Sequence, residues 1–233
     1  MERFKPDYLL PLSIFVAGVL ISASILYTGG TPSKNTPAGG DEGTGGEQVA
    51  GTVPVISKDD VVLGDENAPV SFIEFGDYQC PFCARVFKQV EPQVKKNYVE
   101  TGKVKMVFRN LAFLGPESVA AAEAAACAKE QGKFWEFHNG IYEAENADGK
   151  EHNGNLSNEL FMKLARNFGL DEGKFESCIT GRKYSKKIEA DNEAARGFGV
   201  ESTPTTFING KMVVGAVPYA EFQKEIEAAL KAK

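Results

Sequence analysis

A chain of 233 residues with 42% apolar and 25% charged side chains can bury one domain plus appendages, which excludes both a disordered chain and two large domains. Its 26 Lys and Arg against 32 Asp and Glu leave a net charge of -6, so it lacks the phosphate-neutralising excess that drives nucleic-acid binding. Its two histidines, His138 and His152, share no metal-type spacing such as HExxH, and neither gives a functional signal above that of a solvated surface.

Residues 8–27 (YLLPLSIFVAGVLISASILY) carry no charge and, as a helix, are long enough to cross a hydrocarbon core of about 30 Å. The run exceeds the apolar segment of a cleaved signal, about 7 to 15 residues, and ends without an Ala-x-Ala site. The expectation is therefore an uncleaved transmembrane anchor behind a cytoplasmic segment at residues 1–7. Arg3 and Lys5 before the span, against Lys34 after it, place the remainder on the extracytoplasmic side. Residues 28–51 are rich in Gly, Thr and Pro and hold no aromatic side chain, the composition of a flexible linker with a reach of about 24 to 29 Å. Residues 52–233 are then the working domain.

Within it, Val70 to Phe75, bounded by Pro69 and Gly76, is a β-branched and aromatic run that predicts a strand. From Pro81, apolar residues recur at Val86, Val90, Val94 and Tyr98, predicting one helical face that ends near Gly102 and is kinked by Pro92. Lys103 to Phe108 alternates as a second strand, and the strand-helix-strand order implies a right-handed parallel crossover. Residues 116 to 198 read as helical: an Ala-rich run to Glu130, a segment with Phe134, Trp135, Phe137 and Ile141, and a helix capped by Ser157. Shorter helices follow from near Asp171 and near Arg182. Thr205 to Ile208, Asn209-Gly210 and Lys211 to Val214 predict a β-hairpin on a type I′ turn. Pro218 opens a last helix, with Tyr219, Phe222, Ile226 and Leu230 on one face.

The string Cys80-Pro81-Phe82-Cys83 falls where the first strand feeds the first helix. Unpaired backbone N–H groups and the positive end of the helix dipole stabilise a thiolate at Cys80, below the ordinary value of about 8.5. Cys83, one turn inward, is close enough to close a disulfide or to resolve a mixed one. Cys127 and Cys178 stand 51 positions apart on separate predicted helices. They can form a structural disulfide, remain two buried thiols, or join the first pair around a zinc ion, although that spacing is poor for zinc.

Phe75-Gly76-Asp77-Tyr78-Gln79-Cys80-Pro81-Phe82-Cys83, Gly132-Lys133-Phe134-Trp135 and Thr203-Pro204-Thr205 together resemble the DsbA-like branch of the thioredoxin superfamily. The likeness runs from about Val61 to the C-terminus. It implies an α/β thioredoxin fold with an inserted helical domain at about 116–198, and protein thiol-disulfide exchange as the activity. Carried over, Cys80 is similar to the nucleophilic cysteine and Cys83 to its buried partner. Thr203 and Pro204 are similar to a cis-proline loop whose backbone faces Cys80 and pairs with an extended substrate chain, where sequence statistics alone expect a trans bond. Glu74 resembles the acid that some members bury behind the inner cysteine, a solvated strand-end carboxylate being the alternative. Pro81 and Phe82 sit in the position that tunes the redox pair. Phe82 departs from the His of strongly oxidising members, which puts strong oxidising power in doubt. Asp77 and Tyr78 flank the site without an assigned role. The redox setting favours a Cys127–Cys178 disulfide.

The resulting expectation is a membrane-tethered extracytoplasmic dithiol oxidase that introduces disulfides into cysteine-containing exported proteins. It needs no cofactor beyond the Cys80–Cys83 disulfide, and the resemblance implies reoxidation by a membrane quinone-linked partner of the DsbB or vitamin K epoxide reductase type. The alternatives are an isomerase or reductase using the same pair, and a noncatalytic chaperone-like binding module.

Overall fold

The β-branched run after Pro69 forms strand β1 (Val70–Gly76), buried along almost its whole length because it is a central strand. The computed structural model describes residues 53–145 and 153–232, all within a compact unit spanning Gln48–Lys233. The expected anchor at 8–27, the linker at 28–51 and His152 lie outside the described residues. Among the described residues no helix is long and apolar enough to cross a membrane.

Four strands form one mixed sheet in the order β2-β1-β3-β4, where β2 is Val104–Asn110, β3 Thr205–Ile208 and β4 Lys211–Val214. β1 runs parallel to β2, with Val70 opposite Val104 and Gly76 opposite Asn110. It runs antiparallel to β3, with Phe72 opposite Ile208 and Phe75 opposite Thr205. The β3–β4 hairpin turns on Asn209 (φ 45°) and Gly210 (φ 87°), the left-handed pair that a type I′ turn requires.

The helical face expected from Pro81 to Gly102 is divided into α1 (Pro81–Gln89), α2 (Glu91–Val94) and a π-helical turn at Lys95–Val99. Pro92 supplies no backbone donor and its ring crowds the carbonyl four residues earlier, so the break beside it follows from local sterics. Val86, Val90, Val94 and Tyr98 nevertheless all remain buried, joining Phe72 and Met106 of the sheet and Phe222 and Ile226 in one core. The last two belong to the C-terminal helix.

Between β2 and β3 lies the helical block: α3 (Pro116–Lys129), α4 (Phe134–Glu145), α5 (Asn158–Asn167), α6 (Glu172–Thr180) and α7 (Ser185–Gly197), with α8 (Tyr219–Lys231) closing the fold. The Ser157 hydroxyl accepts the Leu160 N–H to cap α5. The helix expected near Arg182 begins three residues later, because Arg182 takes a left-handed φ of 49° that no α-helix can contain. Phe137, Ile141, Phe161, Leu164 and Phe175 fill the core of this block. Cys127 of α3 and Cys178 of α6 are joined by a disulfide, which leaves the four-cysteine zinc alternative without two of its ligands.

Candidate active site

Cys80 is the N-cap of α1 and Pro81 occupies its first turn, where a missing N–H costs nothing because no intrahelical acceptor waits for it. Both Cys80 and Cys83 are free thiols, Cys80 5% exposed and Cys83 fully buried. The Cys80 thiol donates to the Thr203 carbonyl at 3.5 Å, across 123 positions of sequence, and the Thr203–Pro204 bond that follows is cis. The pairing of β1 with β3 makes this meeting possible, since Phe75 stands opposite Thr205.

Electrostatics divides the two sulfurs. Donation from the Cys83 thiol outweighs the opposing effect of burial, and with help from the Thr203 side chain and the N–H groups of Cys83 and Phe82 it lowers Cys80 to about 6. Burial first, and then the neighbouring Cys80, push Cys83 well above the ordinary thiol range. Cys80 is thus a thiolate at neutral pH and Cys83 a protonated thiol. The thiolate exists only in the reduced protein, so its stabilisation favours that form. The contribution is full above the unperturbed thiol value and disappears as pH falls through about 6. Alkylation of Cys80 by iodoacetamide in the reduced full-length chain should follow an inflection at about 6, and one near about 8.5 would contradict the assigned hydrogen bonding.

Glu74 is 1% exposed, and neither carboxyl oxygen has a hydrogen-bond partner. The alternatives of buried acid and solvated carboxylate resolve to the first because β1 is central, with Phe108 and Thr206 on either side of Glu74. Burial above all, then the charges of Glu91 and Cys80, push its carboxyl well up, with Lys95 acting in the opposite direction. Phe82 is 52% exposed and carries the Arg85 guanidinium 5.3 Å from its ring centre, leaving an apolar surface beside Cys80.

Asp77, to which no role could be attached in the sequence, clamps the loop ahead of Cys80. Its carboxylate accepts the N–H groups of Gln79 at 2.9 Å, Phe113 at 2.9 Å and Leu114 at 3.1 Å. The Tyr142 hydroxyl donates to its carbonyl, and Ser118 donates to Gln79. Gly76 lets the Phe108 ring pack against the backbone just before this loop: a Cβ there would lie 2.5 Å from Cε2 of Phe108. His138 corrects a second expectation, for it is wholly buried rather than a surface residue, with Nε2 3.3 Å from Glu91 and Nδ1 3.5 Å from the Tyr78 hydroxyl. Its position in the turn after Gly132-Lys133-Phe134-Trp135 was the only signal available for it.

The family model described as Thioredoxin matches residues 57–228 of the chain. Disulfide bond formation protein D of Bacillus subtilis is 28% identical over 192 residues, covering 81% of this chain and 84% of that protein. The crystal structure of oxidised BdbD from Bacillus subtilis superposes with a TM-score of 0.71 at 28% identity, covering 78% of this chain and 97% of that one. That of alpha-DsbA1 from Wolbachia pipientis shares the fold at a TM-score of 0.67 and 24% identity, over 77% of this chain and 94% of that one.

Proposed function

The chain belongs to the thioredoxin family, in its DsbA-like branch of protein-disulfide oxidoreductases, and from that premise we propose that it works as a membrane-tethered extracytoplasmic dithiol oxidase for exported proteins. The observation that carries the direction is the Cys80 sulfur, held at about 6 at the start of α1 while Cys83 stays protonated. A stable thiolate in the reduced form makes the disulfide a readier electron acceptor.

In this reading a substrate thiolate attacks Cys80 Sγ. The new S–S bond forms as the Cys80–Cys83 bond breaks, and the electron pair passes to Cys83 Sγ. Glu74 supplies the proton that this buried sulfur requires. The second substrate thiolate then attacks the substrate sulfur of the mixed disulfide and releases Cys80 as the stabilised thiolate. The substrate loses two electrons and the enzyme gains them. The backbone at Thr203 and the cis-Pro204 loop align the extended substrate chain, while Phe82 offers it apolar contact and, with Pro81, tunes the pair. No cofactor beyond the disulfide takes part. A membrane quinone-linked protein of the DsbB or vitamin K epoxide reductase type restores the disulfide, and a tether at residues 8–51 keeps the domain within its reach.

Phe82 favours a second reading, isomerase or reductase, because it brings no imidazole to the thiolate. Equilibrating the full-length chain with defined glutathione ratios decides the direction, if Cys80 is followed by alkylation and Cys127 and Cys178 are tracked separately by mass. A potential near about -120 mV supports disulfide donation, whereas one near about -270 mV reverses it. If Cys80 and Cys83 never pair, exchange through this site fails.

A further inference from the structure

Beneath the redox pair lies a group of buried polar residues that the exchange steps leave unused. Glu91 is fully buried. One of its oxygens is 3.3 Å from His138 Nε2 and the other 2.7 Å from the Lys95 ammonium. His138 is enclosed by aromatic rings, with Phe108 at 4.5 Å, Trp135 at 5.1 Å and Tyr142 at 5.1 Å between ring centres. Phe108 is the cross-strand partner of Glu74, so Glu74 faces the same side of the sheet. Lys95 alone of the group reaches solvent, its side chain 23% exposed. The titratable groups facing the cluster are Glu74 of β1, Tyr78 of the loop, Cys80 at the N-cap of α1, Cys83 within α1, Lys95 of the π-helical turn, and His138 and Tyr142 of α4.

We infer that Glu91 and His138 are positioning residues for the exchange reaction: His138 and Lys95 fix Glu91 as a buried carboxylate, whose charge keeps Glu74 protonated until the Cys80–Cys83 disulfide opens. A lone buried carboxylate would be expelled or neutralised, so the two donors are what allow Glu91 to stay charged. Burial opposes that charge, but His138 and then Lys95 outweigh it and hold the Glu91 carboxyl below its ordinary range. The Glu91 charge acts on Glu74 in turn, and of two buried carboxyl groups that interact the one without donors retains the proton. Glu74 is that one. When the disulfide opens, Glu74 transfers its proton to Cys83 and becomes a carboxylate, and solvent returns a proton afterwards. The inference rests on the proposed role of Glu74 but is independent of the oxidase direction.

The test is a carbon-13 NMR titration of glutamate-labelled, oxidised full-length chain, with the Glu74 resonance identified by its loss in Glu74→Gln. In Glu91→Gln the Glu74 inflection should fall by about one pH unit or more, and Glu91→Asp should restore it. In His138→Phe it should fall as well, because Glu91 loses a donor and with it part of its charge. If Glu91→Gln does not fold, the sign in His138→Phe decides alone. An unchanged inflection in the folded variants, or a rise in His138→Phe, overturns the inference. No exchange is measured, so failure of the oxidase reading would leave this result standing.

Discussion

Cys80→Ser should abolish oxidation of a reduced dithiol test protein, with a loss of at least about a thousandfold, since a serine hydroxyl neither forms a disulfide nor ionises near neutral pH. The circular dichroism spectrum should be unchanged, because the substitution is nearly isosteric at a helix N-cap. Cys83→Ala should behave differently. It leaves Cys80 in place and removes only its partner, so with glutathione disulfide as oxidant Cys80 should accumulate as a mixed disulfide with one glutathione, the other leaving as thiolate, and be visible by mass. It also removes the thiol whose donation does most to hold Cys80 at about 6, so the alkylation inflection should move upward. If Cys80→Ser retained exchange and Cys83→Ala formed no mixed disulfide, the division between the two sulfurs would be wrong.

The second large effect is on stability. Removing the Cys127–Cys178 disulfide as the double alanine variant should destabilise the domain by about 4 kcal/mol from loop-closure entropy, given its sequence separation of 51. For a domain of this size that lowers the melting temperature by about 8 to 16 °C. Exchange at 25 °C should survive, because the bond ties α3 to α6 inside the helical block while Cys80 and Cys83 are held by α1. A melting temperature lowered by less than about 3 °C would make the bond structurally dispensable. Loss of exchange with unchanged melting would instead bring it into the electron path.

The parts of the site that could be read in advance are those written in neighbouring residues. A strand followed by Cys80 and Pro81 predicts a thiol at a helix start because N-terminal helix signals are local. Asn209-Gly210 predicts its turn because both residues tolerate positive φ. Pro92 announces the break after α1 for an equally local reason, although the π-helical turn at Lys95–Val99 carries no such mark. α7 starts three residues after the helical signal near Arg182, because Arg182 adopts a left-handed conformation that its side chain does not advertise.

Other features depend on partners far along the chain. Glu74 lies in a run that fits a central or an edge strand equally well, and its burial follows only once β3 pairs against β1 from more than a hundred residues later. Asp77 acquires a role when Phe113 and Leu114 bring their N–H groups to it. His138 becomes part of the site's surroundings when α4 packs its ring against Glu91, 47 positions earlier. The cysteine pair Cys80 and Cys83, the helix start at Cys80 and the order of elements around it are legible in the sequence, because all are properties of contiguous residues. Tertiary structure alone decided which acid is buried and which charges surround it, because desolvation and Coulomb interactions depend on distances that only packing sets.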